Sequence, residues 1–199
     1  MKNYTAKYSD SNTLNWDKAE VLTDFVDPWR NIRTDSIRFR ALHGDSALHL
    51  KYEVDEPSPI TPEGQDVLST VGNSDRVEIF LTTNNQLDPY YGLEIDSLGR
   101  ILDFKANYHR QFDYQWKWPK SALTIETNIS SSCYCVIITL QKDFLEELKL
   151  IKNNQIQCGI YRGRPTGHGD FEWFTWIDPK TKIPDFHLPE SFGTILLSE

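Results

Sequence analysis

The residues of this chain best suited to chemistry are aromatic, and they stand among polar and turn-forming neighbours. Trp173 and Trp176 lie in Phe171-Glu-Trp-Phe-Thr-Trp176-Ile-Asp178-Pro179, followed shortly by Asp185-Phe-His-Leu-Pro189-Glu-Ser-Phe-Gly193. Large flat rings in such a setting can stack on the C–H faces of pyranose rings, while nearby charged and amide groups take the hydroxyl edges. The competing expectation is a plug at one end of a β-sandwich, since large rings also fill cores.

A second set of groups follows from strand alternation. Residues 75–83 put Val77, Ile79 and Leu81 on one face and Arg76, Glu78 and Phe80 on the other. If Leu93, Ile95, Leu102, Phe104 and Ala106 face the same core, then Arg76, Glu78, Glu94, Asp96, Asp103 and Lys105 share the opposite face. Arg162 and Arg164 approach it from Tyr161-Arg-Gly-Arg-Pro165, and Tyr90, Tyr91, Trp116 and Trp118 add rings. On such a face carboxylates accept hydroxyl hydrogens while Arg and Lys donate, and charge-assisted bonds are the stronger kind. Solvated ion pairs are the plainer use of the same residues.

Glu78 and Glu94 on adjacent strands could also meet the carboxyl spacing of about 5 to 10 Å that glycosidases use, so hydrolysis of O-glycosyl bonds is the enzymatic alternative. The five histidines are scattered and no Gly-x-Ser-x-Gly occurs, which leaves a nucleophilic triad without support. Asp24-Phe-Val-Asp27, Asp45 and Asp55-Glu56 could offer oxygen ligands to calcium, but no EF-hand spacing is present.

Period-two alternation predicts strands over residues 36–43, 47–54, 75–83, 90–96, 100–108, 123–129, 133–140, 155–162, 172–177 and 194–197. One segment, 142–148, has an acidic first turn and apolar residues at helical spacing. A single short helix among about ten strands predicts an all-β, antiparallel β-sandwich of jelly-roll or immunoglobulin-like type. Its core should hold Val77, Ile79, Leu81, Phe104, Val136, Ile138 and Leu196. The long polar connections 56–74 and 110–119 lack periodicity and are the places where a compact domain keeps function.

A chain of 199 residues fits one domain, 1–199, with about 1–12 as a loose amino-terminal arm. Its hydrophobic fraction of 39% is low, but 13% aromatic residues supply the volume for a core. A net charge of −8 without any Lys/Arg-rich block argues against nucleic acid or an anionic membrane as partner. A neutral carbohydrate ligand and a monomer fit this balance. Cys133, Cys135 and Cys158 are odd in number and apolar in context, so free thiols are expected. The first residues lack the apolar stretch of a secretory signal, which points to the cytoplasm at face value and to an exported location if a precursor was trimmed.

Ser74-Asp75-Arg76-Val77-Glu78-Ile79-Phe80 is the strongest local pattern. It stands in order with Trp16-Asp17-Lys18-Ala19, Leu48-His-Leu50 before Glu53-Val54-Asp55, Glu94-Ile95-Asp96-Ser97-Leu98-Gly99, Trp176-Ile177-Asp178-Pro179 and Phe192-Gly193-Thr194-Ile195-Leu196-Leu197. From Trp16 to Leu197 this set resembles the carbohydrate-binding module family 9-like domains. The resemblance implies a xylanase-associated β-sandwich that binds sugar chain ends between two tryptophans and can carry structural calcium. Trp176 matches the clamp ring before the final strands. Its partner should precede the Asp-x-Val-Glu stretch, but residues 64–73 hold no aromatic, so Trp116, Trp118 or Trp173 would have to close the clamp. The resulting expectation is non-catalytic carbohydrate binding through Trp176, Trp173, Trp116, Trp118, Arg76, Glu78, Glu94, Arg162 and Arg164. A hydrolytic domain and a protein-interaction sandwich are the alternatives.

Overall fold

The computed structural model describes residues 2–10, 14–167 and 169–198. In chain order the strands are β1 (Asn3–Tyr8), β2 (Phe25–Asp27), β3 (Ile32–Thr34), β4 (Ile37–His43) and β5 (Ala47–Val54). Helix α1 (Val67–Gly72) precedes β6 (Arg76–Thr82), β7 (Tyr90–Asp96), β8 (Ile101–Asn107) and β9 (Gln111–Asp113). Then come β10 (Leu123–Ile129), β11 (Tyr134–Gln141), helix α2 (Lys142–Glu147), β12 (Ile151–Lys152), β13 (Gln155–Pro165), β14 (Phe171–Thr175) and β15 (Gly193–Leu197).

The strands form a β-sandwich whose two sheets share β1. Residues 3–6 of β1 run parallel to β15, and Lys7 and Tyr8 run parallel to β4. One sheet continues β4–β5–β11–β10 and the other β15–β13–β6–β7–β8–β9, with β14 and β12 on β13 and β2 and β3 beyond β14. Beyond β1, the pairings within these two sheets are antiparallel. The expectation of a loose arm over residues 1–12 is corrected for residues 2–10: Tyr4 and Ala6 are buried, and Tyr4 Oη donates to Glu20 O at 2.6 Å. Residues 1, 11 and 12 of that arm lie outside the described residues.

Alternation builds the space between the sheets. Leu48, Leu50, Tyr52 and Val54 of β5 meet Tyr134, Val136, Ile138 and Leu140 of β11, and Val77, Ile79, Leu81, Leu93, Ile95, Ile156 and Ile160 face them from the other sheet. Each such fully buried aliphatic side chain contributes about 1.5–3 kcal/mol.

A second apolar cluster covers the outer face of the β6–β7–β8 sheet. Phe80, Tyr90, Phe104, Ala106 and Tyr161 pack there under Phe186 and Phe192. This corrects two core expectations. Phe104 faces outward, because β8 pairs Phe104 with Gly92 and Leu102 with Glu94. Asp103 therefore points to the inter-sheet side, where it accepts from Lys117 Nζ at 2.8 Å and Trp118 N at 2.8 Å. Both faces of β8 carry partners, so alternation alone could not orient it. In β15 the large apolar side chains that are buried are Ile195 and Leu197, while Leu196 is half-buried on the other side.

Helix α1 lies inside a stretch that reads as loop. Its sequence, Val67-Leu-Ser-Thr-Val-Gly72, is poor in helix formers. It forms because Asp66 caps it, accepting from Ser69 N at 3.1 Å, and because Val71 is buried. The three cysteines are unpaired, and burial pushes the Cys158 thiol well up. No helix among the described residues is long and apolar enough to cross a membrane.

Candidate functional site

The outer face that holds the second cluster also carries the charged residues of β6 and β7. Antiparallel register places Glu78 directly opposite Glu94. Arg76 stands two residues before Glu78 and so shares their face. Its Nε donates to Glu94 Oε2 at 2.8 Å and lies 3.0 Å from Glu78 Oε1. Its Nη1 donates to Gly72 O at 2.9 Å, so the end of α1 anchors the guanidinium.

Aromatic residues flank this charged floor. The Arg76 guanidinium lies 5.2 Å from the Trp173 ring centre and 5.5 Å from that of Phe171, and the two rings stack at 4.7 Å. Trp173 arrives on β14, opposite Gly163 of β13. A Cβ at Gly163 would stand 2.8 Å from Trp173 Cζ3 and 3.2 Å from Arg76 Nη1, so only glycine admits both groups. Asp27 fixes the strand by accepting from Trp173 N at 3.0 Å. Across the sheet, beyond β8, Phe112 stacks on Tyr114 with centres 5.4 Å apart.

Between these walls lies a cleft of about 230 Å³, lined by Arg76, Glu78, Glu94, Trp173, Phe112, Tyr114, His187, Arg110, Leu68 and Gly72. Electrostatics set the state of its floor. Glu78 is 1% exposed, and burial, reinforced by Glu94 and opposed by Arg76, pushes its carboxyl up to about 8. Burial works against the Arg76 charge as well, but the two carboxyl groups outweigh it and hold the guanidinium above its usual range. Burial, followed by the positive charge of Arg110, keeps His187 well below the usual histidine value and hence neutral. Its Nδ1 shares a hydrogen bond with Tyr90 Oη at 3.0 Å.

A family model described as "Carbohydrate family 9 binding domain-like" matches residues 10–199. The chain belongs to this carbohydrate-binding family. Among solved structures it is similar to a proposed carbohydrate-binding protein from Bacteroides uniformis, with a TM-score of 0.77, 16% identity and 99% of each chain covered. It is also similar to a carbohydrate-binding module family 9 protein from Caldicellulosiruptor kristjanssonii in complex with glucose, with a TM-score of 0.63, 15% identity, and 99% of this chain and 96% of that one covered. A carbohydrate-binding module family 9 protein from the same organism in complex with cellotriose matches with a TM-score of 0.63 at 16% identity, over 98% of this chain and 93% of that one. No curated protein matches the chain.

Within this family member, the nine residues singled out by sequence divide. Trp173, Arg76, Glu78 and Glu94 meet at the cleft. Trp176 does not: it is 1% exposed in the inter-sheet core, with its ring against Gly193. Trp118 is buried against Tyr91 and Phe144, and Trp116 packs on Tyr91, both away from the cleft. Arg162 faces the inter-sheet side, because its neighbours Tyr161 and Gly163 are the ones that pair opposite Glu78 and Arg76. There it grips Asp75 through Nε–Oδ1 at 3.0 Å and Nη2–Oδ2 at 2.6 Å. Arg164 bridges Glu56 and Glu172.

Where the resemblance placed a second clamp ring, Leu68 and Gly72 of α1 line the cleft instead. Sequence reading missed Arg110, Phe112, Tyr114 and the role of His187. The first three sit in the aperiodic connection 110–119, and His187 lies in the stretch 185–193 that follows the tryptophans. Among the described residues no group of three or more His, Cys, Asp or Glu side chains is placed to hold a metal ion. The acids considered for calcium have protein partners: Asp24 pairs with Lys2, Asp45 accepts from Tyr8, Asp55 pairs with Arg38, and Asp27 caps Trp29 N and Arg30 N.

Proposed function

We propose that the cleft binds one neutral sugar ring of a carbohydrate, without chemical change, by stacking on Trp173 and hydrogen bonding to Arg76 and Glu94. The observation that carries this reading is the half-buried Trp173 ring beside a fixed Arg–Glu pair, in a cleft of about 230 Å³. That volume lies below the roughly 300–1,000 Å³ of pockets for drug-sized ligands, which favours a single ring over an extended chain inside the cleft. Arg76 and Glu94 supply a donor and an acceptor in fixed positions, as a hydroxyl edge requires. The relatives with glucose and cellotriose bound make these two sugars the first probes.

Hydrolysis finds less support. A glycosidase acid must reach the glycosidic oxygen, whereas Glu78 is 1% exposed and lies against Arg76 Nε at 3.0 Å.

Titration calorimetry with glucose and cellotriose tests the reading. Binding should appear in the native protein and fall in Trp173→Ala and Glu94→Gln, with no release of product over hours. Affinity untouched by both substitutions would place the ligand elsewhere.

A further inference from the structure

A second recess lies at the end of β6 away from Arg76, and its lining is unlike that of the cleft. Its volume is about 360 Å³, within the roughly 300–1,000 Å³ usual for ligand pockets. Six amide side chains line it: Asn84, Asn85, Gln86, Asn153, Gln155 and Gln157. Thr82, Thr83 and Leu150 complete the wall, and Lys152 is the one charged residue. No acidic residue is among the lining groups, although the chain carries a net charge of −8.

The amides divide by what they already hold. Asn84 is fully used by its own turn. Its Nδ2 donates to Thr83 Oγ1 at 3.1 Å and Asp88 O at 2.6 Å, and its Oδ1 accepts from Gln86 N at 2.9 Å and Asp88 N at 3.3 Å. Gln157 Nε2 donates to Asn85 Oδ1 at 2.6 Å, which locks two amides together and leaves Gln157 Oε1 as an acceptor and Asn85 Nδ2 as a donor. The side chains of Gln86, Asn153 and Gln155 make no hydrogen bond to the described residues.

Both walls are held in place. Asn153 and Asn154 form the two-residue β12–β13 turn with φ of 52° and 57°, as a tight hairpin of this kind requires. Leu87 anchors the opposite turn in the outer apolar cluster. Lys152 Nζ donates to Thr83 O and so ties one turn to the other. Groups held this way lose little freedom when a ligand arrives.

We propose that this recess is a second carbohydrate site, which takes the hydroxyl edge of a neutral oligosaccharide independently of the cleft. An amide sets donor and acceptor side by side, as a sugar hydroxyl does, so amides on facing walls match such an edge. A cation would meet no carboxylate here, and an anion would meet a single lysine that already serves Thr83 O. No aromatic ring lines the recess, so the flat face of a pyranose finds no stack and the edge is what is read. The cleft, with Trp173, is built the other way round. An extended peptide carries similar donors and acceptors in its backbone, but its side chains need pockets. The one apolar lining residue, Leu150, is 2% exposed and offers none.

Side-chain amide signals in nitrogen-15 NMR test the site directly. Cellotriose, xylotriose and mannotriose are titrated in turn into Trp173→Ala, which lacks the stacking ring of the cleft. At least one should cause saturable shifts in the amide groups of Asn85, Gln157, Gln86, Asn153 and Gln155. Gln157→Leu and Asn153→Gly should each weaken that response roughly 2- to 10-fold, as expected for a lost neutral hydrogen bond. Glycine accepts the left-handed turn, so Asn153→Gly keeps the wall in place. Unmoved amide signals with all three sugars overturn the proposal, and so does a response that survives both substitutions. A response to tetra-alanine but to none of the sugars makes the recess a peptide groove and overturns it too. In the native protein the indole N–H of Trp173 reports on the cleft in the same titrations, so the two readings can fail separately.

Discussion

Trp173 and Trp176 stand three residues apart and do opposite things. Trp173 lies on the outer face of β14, half-buried, stacked on Phe171 and next to the Arg76 guanidinium. Trp176, just past the strand end, donates its backbone N–H to Ile160 O and buries its ring between the sheets. An odd separation along an extended chain sends side chains to opposite faces. Each ring is admitted by its own glycine, Gly163 for Trp173 and Gly193 for Trp176. The pair teaches that aromatic residues in one polar stretch can divide between an outer cleft and the core, and that strand parity makes the division.

The largest effect that could break this comparison is expected at Trp176. Trp176→Ala should cost about 3–5 kcal/mol of stability, since it empties a site filled by the largest fully buried side chain. For a chain of this size each kcal/mol shifts Tm by roughly 2–4 °C, so calorimetry should record a drop of about 6–20 °C. Sugar affinity per folded molecule should stay unchanged. A lost affinity at an unaltered Tm would make Trp176 the binding ring and reverse the assignment.

Trp173→Ala should do the converse. Loss of a stacking ring at a binding hot spot is worth roughly 2 kcal/mol, or about thirtyfold in Kd. Its cost in Tm should remain well below that of Trp176→Ala.

The two glycines sharpen the contrast. In Gly193→Ala the new Cβ would stand 2.5 Å from Trp176 Cζ3 and 2.7 Å from Lys2 O, and the backbone atom cannot yield easily. Overpacking of this kind costs about 1–3 kcal/mol and should appear in Tm. In Gly163→Ala the clash is with Trp173 and Arg76, so sugar affinity should fall with a smaller change in Tm. Equal effects of the two variants on both readouts would dissolve the distinction.

The smallest effect concerns pH. His187 has its pKa lowered in the folded protein, chiefly by burial. The unfolded chain therefore binds the proton more readily, and the stability this histidine contributes is present above about 6.5 and lost as pH falls below it. Glu78 works in the opposite sense, its raised pKa costing stability as pH climbs from 4.5 towards 8. The histidine contribution should thus be read as a difference in denaturant unfolding between the native protein and His187→Gln. That difference should change by at most about 1.4 kcal/mol per pH unit below 6.5. A difference constant between pH 7.5 and 5 would refute the neutral, buried histidine.

Alternation was enough to locate the long strands, and the ordered landmarks from Trp16 to Leu197 were enough to reach the family. Both are local properties written in period two and in turn residues. The union of Arg76, Glu78 and Glu94 was legible for the same reason, because β6 and β7 each present an unambiguous apolar face. Which way β8 turns was not, since Leu102, Phe104 and Ala106 alternate as well for an outer cluster as for an inner core. Helix α1 was hidden by weak propensity and exists through its Asp66 cap and the burial of Val71. Trp176 was assigned to the ligand from its polar neighbours and its match to the family's clamp ring, whereas its place is set by a close approach to Gly193, seventeen residues onward. The second wall of the cleft comes from Phe112 and Tyr114, which only the β8–β9 pairing carries to that side of the sheet. Sequence thus determined the long strands from β4 onward, the family and the charged floor, while register and packing between distant segments decided which rings meet it.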